Sequence, residues 1–127
     1  MIRDEIRVVI IDDDRDVLEV LGEAVTAFGY HAFPAANAVQ GLREVQERRP
    51  HVILLDLRMP ALDGHTVFER LISSSTPRSI VIVSGQNDET AARALLRCGA
   101  FDYLPKPVDL AHLQSVIAAA AATAPRN

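Results

Sequence analysis

The stretch Val52-Ile53-Leu54-Leu55-Asp56-Leu57-Arg58-Met59-Pro60 joins a short apolar run to a single carboxylate and then to a proline. An apolar run of this length, preceded by Pro50 and followed by a turn that ends at Gly64, predicts a strand buried on both faces of a sheet. Asp56 would then lie at the carboxyl end of that strand, where open α/β sheets hold their ligands. A lone Asp after a strand more often caps a turn or a helix, so the rest of the chain decides whether Asp56 has a chemical role.

Length and composition limit what the chain can be. Its 127 residues suit one domain with a single core, and its net charge of −4 and lack of Trp argue against a nucleic-acid surface, since such surfaces are basic. The single cysteine, Cys98, cannot pair within the chain, and no Cys/His cluster has zinc spacing. We therefore expect a reducing, cytoplasmic environment with a core position for Cys98, and no apolar run suits a signal peptide or a membrane span.

Strand and helix patterns alternate five times along the chain. Apolar runs predict strands at 6–11, 31–33, 52–55, 79–84 and 101–104, and helical spacing predicts helices that begin near residues 16, 38, 64, 89 and 110. The connections are short, which predicts a parallel sheet covered by helices on both faces. We expect the strand order 2-1-3-4-5, in which strands one and three part at the topological switch.

Prolines and glycines refine this assignment. Pro34 is expected to close the second strand, and Pro105 removes a donor from the fifth strand, which favours an edge position for it. Gly22 lies inside the first predicted helix, where glycine is unfavourable, and so suggests close packing. Residues 1–120 are expected to form the domain, and residues 121–127 the end of the last helix or the start of a linker.

Polar residues follow four of the five predicted strands. Because parallel strands bring their carboxyl ends to one edge of the sheet, these residues are expected to converge on a single site. They are Asp12 and Asp13 after the first strand, Asp56 at the end of the third, Ser84 at the end of the fourth and Lys106 after the fifth.

The charges of this group indicate its chemistry. Two carboxylates about 4 Å apart repel by roughly 4 kcal/mol at an effective dielectric constant of 20, so the site needs a cation. Oxygen ligands favour Mg²⁺, or Mn²⁺ in its place, over zinc. A hard cation, Lys106 and the Ser84 hydroxyl around one carboxylate predict a phosphoryl-transfer site with Asp56 as the nucleophile. Asp14 and Asp16 are interpreted as the acidic start of a helix.

Four segments of the chain resemble the receiver domain of bacterial two-component response regulators, over about residues 7–117. They are residues 8–14, residues 56–60 with Asp63-Gly64, Val83-Ser84-Gly85, and residues 99–107. The resemblance implies the flavodoxin-like fold of that family. It also implies that Asp56 accepts a phosphoryl group from a histidine kinase or a phosphotransfer protein, in a signalling domain whose only reactions are phosphorylation and dephosphorylation at Asp56.

The resemblance also implies roles for individual residues. Asp13 would bind Mg²⁺ directly and Asp12 mostly through water, with Asp56 and the Arg58 carbonyl as the other protein ligands. Ser84 would be the switch hydroxyl, Lys106 the phosphate partner and Tyr103 the aromatic that turns inward, with a cis bond at Lys106-Pro107. Arg58 and Gln86 would set the phosphorylated lifetime, and the 89–117 face would meet an output domain or a second copy.

Three other classes deserve comparison. A phosphatase of the haloacid dehalogenase type pairs Asp with Mg²⁺, and Asp12 and Asp14 suit its motif, but Asp16 does not and the chain has no room for a cap domain. A flavodoxin-type carrier would need a phosphate loop rich in Ser, Thr and Gly, whereas Asp12 to Asp14 would repel the flavin phosphate. A receiver-like module that takes up no phosphate would lack a site residue, and none is missing here.

Overall fold

The computed structural model describes residues 6–59, 63–74 and 78–123. Strands and helices alternate along the chain as expected. The strands are β1 (Arg7–Ile11), β2 (His31–Ala35), β3 (Val52–Leu55), β4 (Ser79–Ser84) and β5 (Asp102–Pro105). The helices are α1 (Arg15–Ala27), α2 (Ala38–Arg48), α3 (Gly64–Ile72), α4 (Glu89–Arg97) and α5 (Leu110–Thr123), and a short 3-10 helix at Gln86–Asp88 precedes α4.

The five strands form one parallel sheet in the order β2-β1-β3-β4-β5, which confirms the predicted topology. Ile11 of β1 is in register with Leu55 of β3, and Ser84 of β4 with Pro105 of β5, so the carboxyl ends of these strands meet at one edge. β1 and β3 are neighbours in the sheet although their crossovers leave in opposite directions. A crevice therefore opens above them.

Alternate residues of β3 face opposite layers, which explains its unbroken apolar sequence. In β3, Val52 and Leu54 pack into a cluster with residues of α1 and α5, whereas Ile53 and Leu55 pack into a second cluster with residues of α2, α3 and α4. All four side chains are buried. The two layers hold β3 from both sides and fix the direction in which the chain leaves it at Asp56.

Side-chain caps begin four of the five helices. Asp14, Asn37, Asp63 and Asp109 each accept a hydrogen bond from a backbone N–H in the first turn of α1, α2, α3 and α5 respectively. Asp88 occupies the same position before α4, but its side chain makes no such bond within the described residues. The carboxylate of Asp88 is therefore engaged elsewhere.

Three sequence predictions were wrong in detail. β2 continues through Pro34 to Ala35 because β2 is an edge strand. The His31 N–H donates to the Ile6 carbonyl, so the nitrogen of Pro34, three residues later, faces the open side of the sheet. A Cβ added at Gly22 would meet no described atom within 4 Å, so this glycine is not needed for packing. Cys98 is exposed rather than in the core.

The edge position of β5 is confirmed. In the described part of the chain, no helix is both long and apolar enough to span a bilayer.

Candidate functional site

Asp56 lies one residue beyond β3, where the sheet still holds its backbone. Its N–H donates to the carbonyl of Ile11 at 2.9 Å, which extends the pairing of β1 and β3 by one residue. The residue is only 4% exposed, and its Oδ1 accepts a hydrogen bond from the Arg58 N–H at 3.3 Å. The strand end therefore fixes a buried carboxylate at the predicted crevice.

Three carboxylates meet at this edge of the sheet. One oxygen from each of Asp12, Asp13 and Asp56 lies within 4.8 Å of the others, with Asp12 and Asp56 buried and Asp13 exposed. Asp12 continues from β1 because its N–H donates to the carbonyl of Ala35, and its Oδ1 in turn accepts from the Asp14 N–H at 2.9 Å. The polypeptide thus brings together the acidic residues that the sequence analysis singled out.

Lys106 reaches the acidic cluster from the end of β5. Its Nζ lies 2.8 Å from Asp12 Oδ2 and 3.5 Å from Asp56 Oδ1, and its own N–H donates to the Ser84 carbonyl at 2.8 Å. The bond between Lys106 and Pro107 is cis, as the resemblance implies. The β5–α5 loop therefore directs a cation onto the two buried carboxylates.

Burial and neighbouring charges shift the pKa values of both Asp56 and Lys106. Burial raises the pKa of Asp56 to about 6, the negative charge of Asp12 adds to this, and Lys106 and the Arg58 N–H offset part of the rise. Burial works against the charge of Lys106, but its contacts with Asp12 and Asp56 outweigh burial, and its pKa is raised. One ammonium group therefore only partly neutralises the cluster.

The donor set fits a hard divalent cation. Asp12 Oδ2 is buried and, among the described residues, makes no hydrogen bond of regular geometry besides its ion pair with Lys106. Together with oxygens of Asp13 and Asp56 it offers carboxylate ligands with no sulfur or imidazole, which suits Mg²⁺ or Mn²⁺. A cation held there would offset the negative charge of Asp12, which adds to the rise that burial causes in the pKa of Asp56.

Ser84 ends β4 on the other side of Asp56, and the Ser84 side chain is fully buried. Its Oγ donates a hydrogen bond to Asp88 Oδ2 at 2.8 Å. The two oxygens of Asp88 also lie 2.8 and 2.9 Å from Nε of Arg58. The hydroxyl and the arginine that follow two neighbouring strands are thus joined through Asp88, a residue that the sequence analysis did not identify.

These groups surround a shallow cavity of about 350 Å³ at the carboxyl edge of the sheet. Its lining includes four of the predicted site residues, Asp13, Asp56, Arg58 and Lys106, and places Asp56 within reach of a small ligand. The lining residues are Asp13, Asp14, Asp56, Arg58, Gly85, Asn87, Asp88 and Lys106.

Three predicted residues do not line this cavity, namely Asp12 and Ser84, which are buried, and Tyr103, and a fourth, Gln86, has no described side chain. Tyr103 is in register with Ile82 of β4, and its partly buried side chain packs against the cluster formed with α2, α3 and α4. The side chain of Gln86 is outside the described part of the structure, as is Pro60. The geometry therefore joins Asp12, Asp13, Asp56, Arg58, Ser84 and Lys106 in one site but leaves Tyr103 at its flank.

Gly64 is a second residue to which the sequence analysis assigned no role. A Cβ at this position would collide with the carbonyl oxygen of Asp56 and with the Cα of Leu57. The Gly64 N–H donates to the Leu57 carbonyl at 3.0 Å, so α3 begins directly against the backbone that carries Asp56. The only signal in the sequence is Asp63-Gly64, which also has the ordinary meaning of a helix start.

Comparisons with known proteins agree with this geometry. The family model of the response regulator receiver domain matches residues 8–118. The chain is 32% identical to the regulatory protein AtoC of Escherichia coli over 87% of its length and 24% of AtoC. It is 36% identical to the transcriptional regulatory protein PrrA of Mycobacterium tuberculosis, over 84% of the chain and 46% of PrrA. The chain thus spans less than half the length of these curated relatives.

A solved structure gives the same result for the fold. The crystal structure of a response regulator receiver domain protein from Clostridium thermocellum superposes with a TM-score of 0.87 at 26% identity, and the alignment covers 92% of this chain and 94% of that one. The family match over residues 8–118 favours the receiver domain over the phosphatase and flavin-carrier alternatives. The chain belongs to the receiver domain family of two-component response regulators.

Proposed function

We propose that this receiver domain is a phosphoacceptor switch in which Asp56 takes a phosphoryl group from the phosphohistidine of a sensor histidine kinase or a phosphotransfer protein. A carboxylate oxygen of Asp56 would form the bond to phosphorus while the bond from phosphorus to the histidine nitrogen breaks, and the leaving imidazole would take up a proton. The observation that carries the proposal is the buried Asp56 carboxylate at an open cavity, 3.5 Å from the ammonium group of Lys106.

Ionisation of Asp56 supports its role as the nucleophile. Its raised pKa of about 6 still leaves the carboxylate largely ionised at neutral pH. Lys106 already faces Asp56 and would neutralise negative charge on the phosphoryl oxygens, and Ser84 would donate its hydroxyl proton to one of them. These are the catalytic and switch roles that we assign to Lys106 and Ser84.

Asp12, Asp13, Asp56 and the carbonyl of Arg58 would hold Mg²⁺, or Mn²⁺ in its place. The cation supplies positive charge that offsets the charge of the phosphoryl group as transfer proceeds. The proximity of the three carboxylates and their purely oxygen donors support this assignment. The ends of β1 and β3 hold these oxygens in place for the cation.

The output of the switch is proposed to leave through the 89–117 face. Ser84 precedes α4, and Tyr103 lies on the adjacent strand β5, so a change at Ser84 would reach this face by the shortest route. The longer relatives include transcriptional regulatory proteins, and we propose that the face controls an output domain, a partner or a second copy. We propose that this chain does not itself bind nucleic acid or membranes. We also propose a cytoplasmic location, where its kinase would reach it.

The last helix, α5, bears on where the receiver domain ends. We propose that residues 1–120 form the receiver domain and that residues 121–127 are the end of its last helix or the start of a linker. The continuation of α5 to Thr123 supports the helical end, and residues 124–127 lie outside the described residues.

Incubation with Mg²⁺ and acetyl phosphate tests the proposal. Intact-mass measurement is expected to show the addition of one labile phosphoryl group in the wild type and none in Asp56→Asn. Beryllofluoride, a mimic of the phosphoryl group, is expected to shift amide NMR signals around Ser84 in the wild type alone. A wild type without an adduct, as expected for a receiver-like module that takes up no phosphate, or an adduct that survives Asp56→Asn, would contradict the proposal.

A further inference from the structure

The Ser84 hydroxyl is already engaged in the structure. It has one proton to donate, and it donates that proton to Asp88 Oδ2 at 2.8 Å. Ser84 is fully buried and the Asp88 side chain is 12% exposed, so this hydrogen bond to a carboxylate is partly shielded from water. Hydrogen bonds to ionised acceptors belong to the stronger class. The same proton is not available to another oxygen while this bond exists.

Asp88 is held in this orientation by a second residue. Nε of Arg58 lies 2.8 and 2.9 Å from the two carboxylate oxygens, and the bonds from Arg58 and Ser84 outweigh burial and lower the pKa of Asp88. The Arg58 side chain is largely exposed, so the ion pair by itself contributes little to stability. Its effect is to orient the carboxylate toward the cavity.

The position of Asp88 in the chain makes this orientation informative. An Asp at the N-cap of a helix ordinarily accepts a hydrogen bond from the first turn, as Asp14 and Asp63 do here. Asp88 is at the N-cap of α4, yet its carboxylate is turned back to Ser84 and Arg58. Asp88 therefore contacts Ser84 and Arg58 instead of capping α4.

We propose that Asp88 is a positioning residue that restrains the Ser84 hydroxyl in the unphosphorylated protein, and that Arg58 anchors it. This inference rests on the proposed phosphoacceptor function. Ser84 must leave Asp88 before it donates to an oxygen of a phosphoryl group on Asp56. Asp88 thus sets how readily the phosphorylated arrangement forms.

Beryllofluoride titration in the presence of Mg²⁺, followed by ¹⁹F NMR, tests the proposal. Asp88→Ala removes the acceptor and is expected to tighten the apparent Kd by about tenfold, because one charge-assisted hydrogen bond no longer has to be broken. Asp88→Asn retains the shape and a weaker acceptor, and it is expected to shift the Kd in the same direction by less. It also serves as the test if the alanine variant does not fold.

Two controls separate positioning from charge. Asp14→Asn also removes a negative charge from the cavity lining, but the Asp14 carboxylate accepts its described hydrogen bonds from the first turn of α1 and none from Ser84, and Asn preserves that cap. It is expected to leave the Kd within about twofold of the wild type. In a Ser84→Ala background the effect of Asp88→Ala is expected to vanish, since the residue acts through the hydroxyl.

The outcomes are distinguishable. A wild type that takes up neither beryllofluoride nor phosphate overturns the phosphoacceptor function and the inference that rests on it. A wild type that binds beryllofluoride with the same Kd as Asp88→Ala overturns the positioning role alone. Equal tightening by Asp88→Ala with and without Ser84, or by Asp14→Asn, would show an effect of charge and also overturn it.

Discussion

Nζ of Lys106 lies 2.8 Å from Oδ2 of Asp12, closer than to the proposed phosphoacceptor. Lys106 thus already neutralises part of the negative charge of the acidic cluster in the unphosphorylated protein. Its removal would leave the two buried carboxylates of Asp12 and Asp56 without this cation. We expect Lys106→Met, which keeps most of the aliphatic stem, to lower the free energy of unfolding by about 2 kcal/mol at neutral pH. Urea denaturation measures the loss.

Lys106→Arg should lose less stability because it keeps the charge. Arg93→Met removes a cation from the exposed ion pair of α4 with Glu89 and should leave the urea midpoint unchanged within error. An equal effect of Lys106→Met and Arg93→Met would contradict the stabilising role of Lys106.

The acidic site should cost the protein stability at neutral pH. The pKa of Asp56 is raised to about 6 by burial and by Asp12, so the folded state binds this proton more tightly than the unfolded state does. Its contribution to stability is present below the unfolded pKa and is lost as pH rises through the folded pKa. A shift of about two pH units corresponds to at most about 3 kcal/mol.

Asp56→Asn in the absence of divalent cations should therefore raise the free energy of unfolding by about 1–3 kcal/mol at pH 7.5, and the gain should disappear below about pH 4. Thermal or urea unfolding across this range measures it. Asp63, whose pKa is lowered by its hydrogen bonds to Thr66, provides a control of opposite sign. A gain for Asp56→Asn that is constant with pH would exclude this explanation.

Gly64 should tolerate no side chain. Gly64→Ala places a Cβ against the backbone of Asp56 and Leu57, which cannot move without displacing the carboxylate, and we expect a loss of about 2 kcal/mol or more. The matched control is Gly22→Ala in α1, where no described atom lies near the added Cβ and alanine is the better helix former. That variant should gain about 0.5–1 kcal/mol. Similar destabilisation of both variants would contradict the close approach at Gly64.

Divalent cations should stabilise the folded state through the acidic cluster. A ligand that binds only the folded state adds about 2.7 kcal/mol at a concentration one hundred times its Kd. We expect Mg²⁺ or Mn²⁺ to raise the Tm of the wild type, and Asp13→Asn to abolish most of the rise. Asp14→Asn, outside the cluster, should retain it. No change of the wild-type Tm with either cation would count against the metal site.

Arg58 and Gln86 should influence how long a phosphoryl group survives. The Arg58 side chain lines the cavity and is held there by Asp88, so Arg58→Ala opens a path for attacking water and should speed dephosphorylation severalfold. A substitution of Gln86 should also change the rate. The decay of phosphorylated protein after removal of acetyl phosphate measures both. Decay at the wild-type rate in both variants would remove this assignment.

The central fold was predictable because its elements are buried on both sides. β1, β3 and β4 have apolar, buried interiors that face the helix layers, and the polar residues at their carboxyl ends therefore mark one edge of the sheet. Asp12, Asp56, Ser84 and Lys106 come together for that reason alone. Strand ends and strand order were enough to predict where these side chains meet, which is the location of the candidate site.

Features that depend on the orientation of a side chain were not predictable. Asp88 precedes a helix, where an Asp usually caps, and only the three-dimensional structure reveals that it turns toward Ser84 and Arg58. Cys98 and Gly22 were misassigned because helical spacing does not tell how closely a neighbouring element approaches. The extension of β2 through Pro34 required knowledge of which side of the strand was open.

Pro34 has a consequence for the protein at high concentration. Its ring lies on the outer side of β2, because the N–H groups of the alternate residues, beginning with His31, face β1. An open sheet edge is the usual template on which another chain adds a strand and aggregation begins. A proline there offers no donor and obstructs an incoming backbone. We therefore expect the β2 edge of the sheet to resist strand addition by a second molecule.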